Sequence, residues 1–132
     1  MIIMGINACS HDASVSVIEN GEILFASQSE WYSKTKNDWF LNEEIMEEAA
    51  SFGQPDIVAY YEKPYLKQLR TAMFGGLSSP FANVKKHLPK SKIVKHSHHY
   101  SHACSGYFTS RFDDRVIVVL DSIGEFETST IS

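Results

Sequence analysis

The sequence predicts an α/β fold: a mixed sheet that opens with an antiparallel three-strand meander, with helices packed on it. Three observations carry this. Residues 2–28 hold three short strand patterns joined by turn signals. Further on, short apolar runs alternate with segments bounded by helix-start and helix-stop residues. The chain of 132 residues is 43% hydrophobic and 21% charged, which supplies one compact domain with a real core.

The elements follow in order. Ile2–Ile6 is short, apolar and β-branched, and reads as a buried strand. A polar stretch, Asn7 to Asp12, leads to Ala13–Glu19, where Val15 and Val17 alternate with Ser14 and Ser16. Asn20-Gly21 is a strong hairpin signal, because both residues tolerate the positive φ of a type I′ turn. Glu22–Gln28 is the returning strand. Ser29–Leu41 has no period and reads as a loop. Asn42 then offers an N-cap, Glu43 and Glu44 suit the positive helix start, and Gly53 suits the C′ position, so a helix is expected over Glu43–Phe52.

Ile57–Tyr61 is a fourth strand, and Pro64 opens a helix that runs on through Tyr65–Phe74. After a break at Gly75–Pro80 come a short helix, Phe81–Leu88, a minimal strand, Ile93-Val94, and a helix over His98–Phe108. Val116–Leu120, five straight apolar residues, predicts a strand buried on both faces. A polar turn at Asp121–Glu125 joins it to Phe126–Ile131, the return of a last hairpin. This order matches a ribonuclease-H-like half, the repeating unit of actin-like folds. Residues 1–115 form that half on this reading, and 116–132 are the opening hairpin of a second half that lies beyond the chain.

The charge of −4 gives no global attraction to nucleic acid or to an anionic membrane. No run reaches the roughly 20 apolar residues of a membrane span, and Met1-Ile2-Ile3-Met4-Gly5 lacks the basic start of a secretory signal. Two distant cysteines, Cys9 and Cys104, suit a reduced cytoplasmic protein.

Three segments could carry chemistry. Lys95 to Ala103 holds four of the six histidines. On a helix His98 and His102 stand one turn apart, about 5–6 Å between Cβ atoms, so both rings can reach one metal. His99 points elsewhere and His96 precedes the helix. Two ligands hold a metal poorly, and the plain alternative is two packing residues. The Glu that follows the first His in zinc proteases is missing, which argues against a hydrolytic metalloenzyme of that type. In Ser10–Ser14, His11 could orient a phosphate or assist proton transfer beside Asp12; the plain alternative is a capped turn. Asp121-Ser122-Ile123-Gly124-Glu125 places carboxylates at a strand end, where a metal or phosphate can bind; an ordinary hairpin loop is the plain alternative.

Taken together, Gly5-Ile6, His11-Asp12-Ala13-Ser14, Tyr61-Glu62-Lys63-Pro64, His98-His99-Tyr100-Ser101-His102-Ala103 and the stretch from Asp121 to Thr130 resemble the NodU/CmcH-type O-carbamoyltransferases in order and rough spacing. The resemblance implies an actin-like N-terminal domain similar to the tRNA threonylcarbamoyl-transfer protein. It also implies a separate C-terminal domain that makes carbamoyl-adenylate from carbamoyl phosphate and ATP. The actin-like domain would hold that adenylate with iron(II) or another divalent metal and pass the carbamoyl group to the hydroxyl of a small molecule. The implied metal ligands here are His98 and His102, with a third ligand outside the chain. His11 and Asp12 would stand at the transferred group, and Asp121, Gly124 and Glu125 at the nucleotide.

Ser29-Glu30-Trp31-Tyr32, Lys36-Asn37 and Ser122 depart from the family pattern. On this reading the 132 residues are an N-terminal fragment, inactive alone, whose open hairpin either pairs with a second copy or is disordered. Two alternatives stand beside it: a short metal- or nucleotide-binding module that works with a partner chain, and an actin-like module kept for association.

Overall fold

The computed structural model describes residues 1–10, 12–73 and 81–132. A five-stranded mixed sheet forms the centre. Strands β1 (Ile2–Asn7), β2 (Ser14–Glu19) and β3 (Glu22–Gln28) make the antiparallel meander, and β4 (Ile57–Tyr60) and β5 (Ile93–Lys95) add to β1 in parallel. The spatial order is β3-β2-β1-β4-β5. Asn20 and Gly21 both adopt positive φ, 52° and 92°, as the hairpin turn requires.

Alternation decides the faces. Met4 and Ile6, Val15 and Val17, and Val58 and Tyr60 turn to one side and are buried there. Helix α2 (Glu43–Ala50) covers them with Ile45, Met46 and Ala49. Its N-cap is as expected: Ile45 N–H donates to Asn42 Oδ1 at 3.0 Å. Gly53 (φ +123°) follows the helix, and a Cβ there would meet Ile2 Cδ1 at 2.7 Å. Val84 of α4 (Phe81–His87) completes this side with Leu88.

The segment read as a loop contains a single turn of helix, α1 (Glu30–Ser33), closed by the Ser33 N–H to Ser29 carbonyl bond at 3.0 Å and stopped by Lys34 at φ 58°. Ser29 is fully buried at its start. Backbone bonds close the turn and no periodicity along the segment marks it. Helix α3 (Pro64–Met73) follows β4. The break expected at Gly75–Pro80 lies outside the described residues, as does His11.

Helix α5 (His98–Thr109) follows β5, and beyond it β6 (Val118–Gly124) and β7 (Glu127–Ile131) form a separate antiparallel pair. Two expectations are corrected here. Val116–Leu120 is not buried on both faces: Val116, Val118 and Leu120 are 74%, 56% and 77% exposed, and of this segment's three valines Val119 alone is buried. The reason is that this hairpin joins no larger sheet and rests one face on α5. The expected turn at Asp121–Glu125 is also shorter, since β6 runs through Asp121 to Gly124 and the chain reverses at Glu125, whose φ is 56°. Among the described residues no helix is long and apolar enough to cross a membrane.

Two measurements test this packing. Asn42 caps α2 and also donates its amide to the Ser29 carbonyl at 3.0 Å, so Asn42→Ala should lower the urea-unfolding free energy by about 1–2 kcal/mol; an unchanged midpoint would disprove the cap. Burial pushes the Cys9 thiol up from 9.0 to about 11, against a lowering hydrogen bond with Tyr60. The folded state thus holds this proton more tightly than the unfolded state. Its contribution is complete below pH 9.0 and is lost as pH rises toward about 11. Iodoacetamide near neutral pH should modify Cys104 and spare Cys9 until the chain unfolds; equal rates at the two thiols would show that Cys9 is not sealed in the core.

Candidate metal centre

The first turn of α5 begins after Ser97, which has extended backbone. The i, i+4 spacing stacks His98 and His102 on one face, ring centroids 4.7 Å apart and Nε2 atoms 3.1 Å apart. The edge of Tyr61, just beyond β4, packs against His98 at 5.5 Å. Ser101 Oγ donates to the Tyr61 carbonyl at 2.7 Å, which fixes α5 against the end of β4.

The hairpin brings the third group. Asp121 Oδ2 lies 2.9 Å from His98 Nε2, and one ligand atom each from His98, His102 and Asp121 falls within 4.8 Å of the other two. They face a cavity of about 500 Å³ that Asn7, Ser10, Tyr61 and Arg70 also line. The pair of histidines therefore points toward the loop after β1. The third ligand, expected outside the chain, has a candidate within it.

Electrostatics suit a cation. Burial, then the charge of His102, holds His98 below its ordinary value against the pull of Asp121, so its ring is neutral at pH 7. Burial raises the Asp121 carboxyl, but the Ser122 N–H, which donates to Oδ1 at 2.7 Å, and the two imidazoles outweigh that and leave it below the usual range. His98 and His102 offer ring nitrogens and Asp121 a carboxylate oxygen to a shared cation. Two Nε2 atoms this close cannot both carry hydrogen. Tetrahedral ligands about 2.0–2.2 Å from one ion stand roughly 3.3–3.6 Å apart, so the observed 2.9 and 3.1 Å contacts would open by a few tenths of an ångström around a metal. Two histidines and one carboxylate with open positions suit iron(II) or zinc.

The other expected site residues divide. Asp12 sits at φ 51°, and its carbonyl accepts from Asn7 Nδ2 at 3.2 Å; Asn7 lines the cavity and Asp12 does not. Gly124 ends β6. Glu125 is buried, and its Oε1 accepts the Lys63 N–H at 2.6 Å, while Arg70 donates to its carbonyl at 3.2 Å. Glu125 thus ties the hairpin turn to the start of α3, beside a small cavity that His98 and Ser10 also reach. Sequence reading missed Arg70 and the buried Glu62–Lys67 ion pair at 3.0 Å. The i, i+5 spacing of that pair across a helix start was a weak signal, and Arg70 had none.

Removing the Glu125 carboxylate leaves the Lys63 N–H without its acceptor. Hydrogen bonds to charged groups contribute about 1.5–3 kcal/mol, so Glu125→Ala should lower stability by about that amount and Glu125→Gln by less. Equal urea midpoints for all three proteins would show that this anchor contributes nothing.

No family model matches the chain. It is 26% identical over 163 residues to a protein of Synechocystis sp. (strain ATCC 27184 / PCC 6803 / Kazusa) described as "Uncharacterized protein sll1178"; the match covers 98% of this chain and 26% of that protein. The chain spans about a quarter of the length of the curated relative it matches.

Proposed function

We propose that this chain is the N-terminal part of an O-carbamoyltransferase of the NodU/CmcH type, and that its sheet is the first half of an actin-like domain. The observation that carries the reading is the convergence of His98, His102 and Asp121 on a cavity shared with the Asn7–Ser10 loop. The meander followed by helix-linked parallel strands supports the actin-like half.

In the proposed reaction the acceptor hydroxyl oxygen attacks the carbamoyl carbon of carbamoyl-adenylate. The bond from that carbon to the phosphate oxygen breaks, AMP leaves, and the hydroxyl proton passes to a base. The family resemblance gives that part to His11, with Asp12 beside it. A divalent metal held by His98, His102 and Asp121 would supply Lewis-acid polarisation of an oxygen in the cavity. Tyr61 packs one wall against His98, and Arg70 brings a positive charge to the same cavity. Carbamoyl-adenylate would come from ATP and carbamoyl phosphate in a further domain of a longer protein.

The presence of three donors within this chain favours one part of the alternative reading, a module that binds metal by itself. Titration of zinc(II) or anaerobic iron(II) should show one-to-one uptake that weakens tenfold or more in His102→Ala and Asp121→Ala. For the carbamoyl reading, the natural full-length product should catalyse ATP–pyrophosphate exchange that depends on carbamoyl phosphate, and His102→Ala should abolish transfer while sparing exchange. Absence of exchange, or transfer at the original rate in His102→Ala, would remove this reading.

A further inference from the structure

Helix α5 works on two faces. His98 and His102 turn to the cavity, while His99, about 100° further round the helix, turns to the hairpin. The His99 side chain is 3% exposed, with Nδ1 3.0 Å from Thr130 Oγ1 and 3.9 Å from Glu127 Oε2. Its Nε2 is buried without a partner among the described residues. A polar ring sealed this deeply costs free energy unless its bond does something. A leucine would fill the same space at less cost but could not bond to Thr130.

The position of that bond gives its purpose. Thr130 stands opposite Val119 across the β6–β7 ladder, and Asp121 follows Val119 by two residues along β6, just past Leu120, where the register between the two strands shifts. The bond therefore fastens the hairpin to α5 opposite Val119, whose Cα is roughly 7 Å, two strand rises, from that of Asp121. Glu125, bonded to the Lys63 N–H, fastens the other side of Asp121. An isolated two-stranded hairpin is marginal on its own, and these two ties hold it on either side of Asp121, beside the buried Val119.

We propose that His99 is the positioning residue of the metal centre: its bond to Thr130 sets where Asp121 stands relative to His98 and His102. This rests on the metal reading above. His99 touches no metal itself; it acts through the hairpin.

Cobalt(II) uptake by the whole chain tests it, because visible absorption reports the ligand set as well as affinity. Thr130→Val removes the hydroxyl at nearly constant shape, and His99→Leu keeps the packing without the bond. Both should weaken cobalt binding roughly tenfold or more, the scale of lost supporting contacts around metal sites, and shift the spectrum toward that of Asp121→Asn. His99→Asn, whose side-chain amide can replace Nδ1, should stay near the original. Original affinity and spectrum in Thr130→Val, with circular dichroism showing a folded chain, overturn the proposal. Should the unaltered chain take up no cobalt, the metal reading fails and hydrogen exchange decides the tie. Faster exchange of the β6–β7 amides in Thr130→Val supports it, and unchanged exchange overturns it.

Discussion

Tyr60 is the residue on which the arrangement turns. It ends β4 at 1% exposure, in edge contact with Tyr61 at 5.2 Å and Phe81 at 5.0 Å. A phenol this deeply buried needs a partner for its hydroxyl, and it donates to the Ala8 carbonyl at 2.8 Å. That bond holds the loop after β1 against the end of β4. The Tyr60 carbonyl in turn accepts the His96 N–H at 3.1 Å, and the next carbonyl accepts Ser101 Oγ. The loop and α5 are thus referred to the same strand end, and the cavity between them takes its shape from that.

The cavity lies at the carboxyl ends of β1 and β4, where parallel neighbours leave a crevice in open α/β sheets. It gathers groups from five places: the end of β1 and its loop, the turn after β4, Arg70 of α3, the first turns of α5 and the β6 strand. Such division lets Asp121 come from an element outside the main sheet while standing within hydrogen-bond distance of His98.

The two sides of the molecule differ in kind. The side under α2 and α4 is closed by large apolar residues at strand alternation. On the opposite face Gly5, Ser16, Ala26 and Ala59 line a broad groove beside α5 of about 890 Å³. Small side chains there leave room where large ones elsewhere fill it. The hairpin repeats the contrast at smaller scale, with Val119 turned to α5 and Val118, Leu120 and Ile131 turned out.

Much of the sheet was legible because its signals are local. Alternation in β1 to β3, the Asn20-Gly21 turn and the Asn42 cap depend on residues next to one another, and the expected elements match within a few residues. The His98–His102 pair was legible for the same reason, since helix geometry alone brings i and i+4 together. Val116–Leu120 misled because an apolar run states what could be buried and not what is there to bury it. By itself, then, the sequence determined the meander, the order of the four longer helices and two of the three candidate ligands. Tertiary structure alone decided that Asp121 joins them, that His99 faces the hairpin, and that Glu125 anchors the turn. Those three results depend on where a hairpin with no main-sheet partner comes to rest, and no spacing along the chain encodes that distance.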